Sequence, residues 1–346
     1  MSITAQAADP AEAAHTLRKP RNGRLRRSKR AETTTGQAVI APIVAGADGS
    51  EESLAATAWA AAAAARRHVP LCIVHVVDHD PRPSVHAHVA GHDLADPFRH
   101  DPSHHARSVL AKASRRAIMA APGVDLRAVV VYGHAGEVLT AITARVPLLA
   151  AGTRAATASP GLPLGSVALE LASRAKCPVV FARASNSPVF HEIVIGTDGG
   201  DATAAAMEFG FGEANGRHAT LTALHIWAHP QIAQLEGYHD WMLSVGPLNA
   251  GAAASLAEQV APWRQKYPNV LVTESTVHGQ PGRVLSMLSG HADLVVVTGD
   301  MIRPRLGSGS ASVADVLLCH AQCPVAVIPA STQTTAEADP RVLLSA

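Results

Sequence analysis

Apolar residues fall in short, nearly continuous runs, separated by longer segments in which they recur every three or four positions. "AVIAPIVAGA" (38–47) predicts a buried strand that ends at a turn. "PLCIVHVV" (70–77), "DLRAVVVYG" (125–133), "PLLAAG" (147–152) and "PVVFAR" (178–183) predict four more. A helix starts near Ser50, with Glu51 and Glu52 in its first turn, where carboxylates complement the positive end of the helix dipole. "ARSVLAKASRRAIMAA" (106–121), "AGEVLTAITAR" (135–145) and "GSVALELASRA" (165–175) predict further helices. Apolar strands alternating with helices imply an α/β fold with a parallel sheet covered on both faces. The longest apolar run, "AATAWAAAAAA" (55–65), stops at Arg66 and Arg67, short of the roughly 18 residues of a membrane-spanning helix.

The pattern then repeats. "IVAGADGSEES" (43–53) returns as "IVIGTDGGDAT" (193–203), "LCIVHVVD" as "LTALHIWA", and "SVALELASRAKCPVVFAR" as "SVADVLLCHAQCPVAVIP". "GHAGEVLTAI" and "LLAAGTR" also have counterparts in the same order. The offset is 150 residues at Asp48 and Asp198, 147 at Gly152 and Gly299, and 146 at Cys177 and Cys323. A period of this length means a duplicated domain, not a solenoid. The divisions are a basic extension (1–37), a first domain (38–184), a linker (185–190), a second domain (191–330) and a C-terminal tail (331–346).

Composition narrows the class. With 47% apolar but 3% aromatic residues, both cores must be built from Ala, Val, Leu and Ile. Four cysteines are too sparse for a disulfide scaffold and fit a reducing cytoplasm. Eight Lys or Arg and no acid lie between Arg18 and Arg30, so this segment is expected to be disordered. A solvated extension is the expectation for it; nucleic acid is not expected as a partner except through this segment, and no membrane partner is expected. No secretory signal is evident, and a cytoplasmic location is expected.

Candidate chemistry gathers after the strands. Gly152-x-x-Ala155, nine residues, then Gly165-Ser166 makes a small-residue loop that opens a helix, the arrangement that offers backbone N–H groups to a phosphate. Glycine permits close approach and positive φ, and the Ser166 hydroxyl can cap the helix or bond a phosphate oxygen. Asp48 is placed to accept hydrogen bonds from ribose hydroxyls, and Val76 to present its backbone to adenine. The chain has five lysines, none in a G-x-x-x-x-G-K-[ST] loop, which argues against a P-loop ATPase.

These residues resemble the universal stress protein family in its tandem, two-domain actinobacterial form. Its ATP-binding members carry G-x-x-G, nine residues, G-[ST] after strand 4, an aspartate after strand 1, and a His-Val-type end to strand 2. "VAGADGSEES", "LGSV" and the twice-used "CPV" match it over roughly residues 38–330. The resemblance implies two tandem Rossmann-like (adenine nucleotide alpha hydrolase-like) domains, each a five-stranded, mainly parallel sheet with helices on both faces. It also implies that the two fifth strands pair about a pseudo-two-fold axis. In the first domain Gly46, Asp48 and Val76 would face the nucleoside, and Gly152, Thr153, Arg154, Ala155, Gly165, Ser166 and Val167 the phosphates of ATP. Ala155 departs from the glycine pattern, which weakens binding. In the second domain Gly196, Asp198, Ile226, Gly299, Ser312 and Val313 match, but Ile302 and Ala311 do not, and "LGSGSAS" (306–312) would have to substitute.

Seven histidines lie between Asp78 and His105, with acids interspersed. His86, His88, His104 and His105 are the ligands a zinc or nickel site would use. Prolines 81, 83, 97 and 102 favour instead a surface loop that charges below about pH 6.5. The expectation is a non-enzymatic, nucleotide-responsive stress protein with an unknown regulatory partner and whole-chain dimerisation. The alternatives are a nucleotide-independent scaffold acting through its interfaces and a metal-binding protein.

Overall fold

A computed structural model describes residues 40–78, 102–154, 164–184, 188–200, 202–227, 238–299 and 312–329. The basic extension, most of the histidine-rich segment, Ala155, Ile302, Ala311 and the C-terminal tail lie outside them.

The first half runs β1 (Ile43–Gly46), α1 (Glu51–Arg67), β2 (Leu71–Val77), α2 (Pro102–Ala120), β3 (Leu126–Tyr132), α3 (Ala135–Thr143), β4 (Leu149–Gly152), α4 (Ser166–Arg174) and β5 (Val179–Ala182). The second half repeats this order: β6 (Glu192–Thr197), α5 (Thr203–Arg217), β7 (Thr220–Trp227), α6 (Tyr238–Lys266), β8 (Val272–His278), α7 (Pro281–Leu288), β9 (Leu294–Thr298), α8 (Val313–His320) and β10 (Val325–Ile328). Each half contributes five strands, parallel among themselves.

Local sequence explains how α1 begins and ends. Ser50 is its N-cap, and its Oγ accepts from the Ser53 amide at 3.1 Å. Glu51 and Glu52 occupy the first turn, and Arg66 and Arg67 the last. His68 closes the helix in the left-handed conformation at φ 53°, and His218 closes α5 at the same angle. The alanine run makes a thin helix: Ala56, Ala60, Ala61, Ala63 and Ala64 are all buried. At α5 the corresponding surface carries Met207, Phe209 and Phe211 instead. One expected boundary moves. The helix expected to begin at residue 106 begins at Pro102, where a missing N–H costs nothing in a first helical turn. His104 and His105 therefore lie on α2, not in a loop.

The ten strands form one sheet in the order β3-β2-β1-β4-β5-β10-β9-β6-β7-β8, a palindrome of the two halves. Its centre is the only antiparallel pair among the described residues, β5 with β10, in the register Phe181↔Val325, Val180↔Ala326 and Val179↔Val327. The edge left by each half is thus covered by the other, about the expected pseudo-two-fold. Two apolar layers cover the sheet. One lies under α1, α2, α5 and α6 and includes Ile43, Ile73, Phe211 and Val296. The other lies under α3, α4, α7 and α8 and includes Val74, Leu139, Phe181 and Leu285.

Candidate functional site

In the order β3-β2-β1-β4-β5 successive strands are added on one side of β1 up to β3 and on its other side from β4, and such a switch point between parallel strands opens a crevice at their carboxyl ends. A cleft lies there, enclosing about 580 Å³ counted to its open mouth. Gly46, Asp48, Val76, Gly152, Thr153, Arg154, Gly165, Ser166 and Val167 line it, so the first-half candidates among the described residues come together. Sequence reasoning missed part of the wall. Ala135 and Leu139 of α3 and Ser53 of α1 also line the cleft. Their signal was present, since "AGEVLTAI" is one of the repeated blocks.

Asp48 is held by the turn that starts α1. Its Oδ1 accepts from the Ser50 amide at 2.9 Å and from the Ser50 hydroxyl at 2.6 Å. Gly49 follows at φ 88°, the left-handed conformation that favours glycine, and Gly199 repeats it at φ 79°. On the other side of the cleft the Gly165 amide donates to the Thr153 carbonyl at 2.9 Å, closing the phosphate-type loop at its base. Thr153, one of the residues lining the cleft, is 2% exposed, and its hydroxyl is buried without a hydrogen-bond partner among the described residues.

Two expectations change. Gly165 sits at φ −79°, and Gly152 is not among the positive-φ glycines. Gly152 is needed for space. A Cβ there would lie 2.8 Å from the Ser53 nitrogen and 3.0 Å from the Glu52 carbonyl carbon, because α1 begins directly against the end of β4. Second, Ser166 is the first helical residue of α4, and the N-cap is Gly165, which has no side chain to cap with. His75, the residue before Val76, is not among those lining the cleft: it is buried and its Nδ1–H donates to the Ala47 carbonyl at 2.7 Å. It ties β2 to the exit of β1. His105 packs against its ring edge at 6.0 Å between centroids.

The second half keeps the frame. Gly196 makes room for Leu285 of α7 as Gly46 does for Leu139 of α3. Asp198 is exposed, and its Oδ1 accepts from the Gly200 amide at 3.0 Å. His225, the counterpart of His75, has its pKa pushed down by burial, with Asp198 pulling the other way. Ile226 is buried, and Gly299 directly follows β9. The largest difference lies at the helix start. Ser312 is the N-cap of α8, its Oγ accepting from the Asp315 amide at 3.1 Å while the Asp315 carboxylate returns to the Ser312 amide. Ser312 and Val313 thus serve a self-satisfied capping box.

Among the described residues no group of three or more His, Cys, Asp or Glu could hold a metal. His104 and His105 are exposed, and His86 and His88 lie outside the described residues. No described helix is long and apolar enough to cross a membrane.

The model of the universal stress protein family matches residues 40–183 and again residues 190–329. The chain belongs to the universal stress protein family. Among its relatives is Universal stress protein Rv2005c of Mycobacterium tuberculosis, 30% identical over 292 residues that make up 82% of this chain and 96% of the relative. Universal stress protein Rv2623 of the same organism is 30% identical over 289 residues, 82% of this chain and 95% of the relative. A universal stress protein from Archaeoglobus fulgidus superposes with a TM-score of 0.58 at 15% identity, over 84% of this chain and 96% of that one, a likeness of fold alone.

Proposed function

We propose that this universal stress protein binds an adenine nucleotide, ATP in the first instance, in the first-half cleft and acts as a stress-response regulator without turnover. In this reading Gly46, Asp48 and Val76 meet the nucleoside, and Gly152, Thr153, Arg154, Ala155, Gly165, Ser166 and Val167 meet the phosphates. The observation that supports it most is Thr153. A buried hydroxyl without a partner is costly, and here, among the described residues, it belongs to a residue that lines a cleft beside the amino end of α4, where an anion is favoured. The second-half residues Gly196, Asp198, Ile226, Gly299, Ser312 and Val313 are read as a degenerate copy, since the capping box at Ser312 and Asp315 satisfies the helix start internally. Occupancy is read as shifting the loops around Gly152 and with them the affinity for a regulatory protein partner.

Equilibrium dialysis of the full chain against ATP tests this, with Asp48→Ala as the control. Saturable binding that the substitution abolishes is the expected result; no saturable binding at millimolar ATP sinks the nucleotide reading. Whole-chain dimerisation is tested by sedimentation, where a monomer at every concentration counts against it.

A further inference from the structure

The cleft borders a pair of cations that belong to the first half only. Gly152 and Ala182 are partners in the β4–β5 register, so Arg183, which follows Ala182, leaves the sheet beside Thr153 and Arg154. Arg154 lines the cleft, is exposed, and forms no ion pair among the described residues. Arg183 is half-buried and reaches across the pseudo-two-fold. Its Nη2 donates at 2.5 Å to the carbonyl of Leu318, in the last turn of α8 of the second half. Burial first, and then the neighbouring Arg154 guanidinium, push the Arg183 pKa down, while Cys319 and the Glu52 carboxylate oppose them. Arg154 and Arg183 thus share one neighbourhood, with the Glu52 carboxylate near Arg183 and Asp48 in the cleft with Arg154. At the corresponding offsets the second half has Met301 and Pro329.

We propose that Arg154 and Arg183 form a polyphosphate subsite at the mouth of the first-half cleft, and that Arg183 links its occupancy to α8 of the second half. The proposal rests on the nucleotide reading of the cleft. The amino end of α4 and Thr153 take the phosphate nearest the nucleoside, and the two guanidiniums take the terminal phosphates of a nucleoside triphosphate. Guanidinium groups suit this because their donors form a planar fork that matches phosphate oxygens. A terminal phosphate also relieves the repulsion between the two cations. It competes with the Leu318 carbonyl for the donors of Arg183, so the last turn of α8 loosens when a triphosphate is bound. A monophosphate does not reach that far and leaves α8 unchanged.

Calorimetric titration of the full chain with ATP and with AMP tests the subsite. ATP is expected to bind at least about tenfold more tightly than AMP. Arg183→Gln should remove about that factor for ATP while AMP binding stays within about twofold, and Arg183→Lys, which keeps charge without the fork, should retain part of it. Arg154→Gln, at an exposed side chain, should weaken ATP binding as well; it serves as the second variant if Arg183→Gln fails to fold. In the unsubstituted protein ATP but not AMP should speed amide hydrogen exchange in the last turn of α8. Equal affinity for ATP and AMP, or an Arg183→Gln loss of the same size for both, overturns the subsite and leaves the cleft reading standing. Binding of neither nucleotide overturns both.

Discussion

Replacing Glu213 with alanine should loosen the contact between the two halves. Glu213 lies on α5, 2% exposed, and its carboxylate takes three arginines. Arg217, one turn on, donates to Oε2 through Nε at 2.8 Å and Nη2 at 2.6 Å. Arg66 and Arg67, at the end of α1 in the other half, donate at 3.2 and 2.8 Å. The repeat places Ala63 opposite Glu213, so one carboxylate serves the cations of both halves. The aromatic contacts do obey the pseudo-symmetry. Arg67 lies 5.6 Å from the Phe209 ring centre and Arg217 lies 5.4 Å from that of Trp59. Truncating one member of a buried ion pair costs about 3–5 kcal/mol, because the remaining charge is left uncompensated. The arginines are 18–33% exposed and regain some water, which places the expected loss near the lower end, about 3 kcal/mol. For a chain of 346 residues, at about 2.1 cal/mol/K of unfolding entropy per residue, that is a fall in melting temperature of about 4 °C by scanning calorimetry. Adding Arg67→Ala to Glu213→Ala should recover about 1 kcal/mol, since it removes one of three mutually repelling cations. Burial raises the Glu213 pKa, but Arg217, Arg67 and Arg66 outweigh it and hold it below its ordinary 4.5. The folded value being the lower one, this stabilisation is complete at pH values above 4.5, and is lost as the pH falls through the folded value. The difference between wild type and variant should therefore shrink in acid. A variant that melts within about 2 °C of wild type at neutral pH, or a difference that grows in acid, refutes the assignment.

Three further predictions concern the cleft and the thiols. Gly152→Ala forces a Cβ against the backbone of Ser53 and should cost about 1–3 kcal/mol in urea unfolding, with or without nucleotide; an unchanged midpoint would show that α1 yields freely. Ala155→Gly should strengthen ATP binding by about 1–2 kcal/mol, roughly tenfold, if that position calls for a left-handed backbone; dialysis showing equal affinity removes the reason for treating Ala155 as a defect. Burial pushes the Cys72 thiol up to about 11 and those of Cys177 and Cys323 up to about 12, whereas Cys319 is partly exposed. A thiol reagent at pH 8 should therefore label Cys319 first, and peptide mapping that finds a buried cysteine modified earlier contradicts the packing.

The strand and helix order of the first half was legible because each element carries its own signal: apolar runs for strands, Ser50 and the two glutamates for the start of α1. The pairing of β5 with β10 was legible only through the family resemblance, since "PVVFAR" says nothing about its neighbour. What sequence could not show depends on approach between distant segments. Gly152 reads as a phosphate glycine, yet the atoms it makes room for belong to α1, a hundred residues earlier. Ser166 and Ser312 occupy matching positions in matching blocks, but only Ser312 has an aspartate three residues on to complete a capping box; Ser166 has Leu169 there. Glu213 has a local partner in Arg217 at i+4, but its other two arginines lie 146–147 residues away, and the Leu318 carbonyl that Arg183 meets lies 135 residues away.

The two halves separate what the fold requires from what a ligand would require. Gly46 and Gly196 accommodate the leucines of α3 and α7, and Gly49 and Gly199 make the same positive-φ turn; these pairs recur because both halves must pack alike. Their presence is weak evidence for a nucleotide, since packing alone demands them. The discriminating positions are those where the halves diverge. At Thr153, Arg154 and Ser166 the first half presents a buried hydroxyl, a cation and an uncapped helix start; at the matching positions the second half has Asp300, Met301 and a serine committed to its own cap. An acid in place of Thr153 would repel a phosphate, and a cap already filled removes a donor from it. Substitutions at these three positions, rather than at the glycines, are therefore the ones that report on nucleotide binding without first disturbing the sheet.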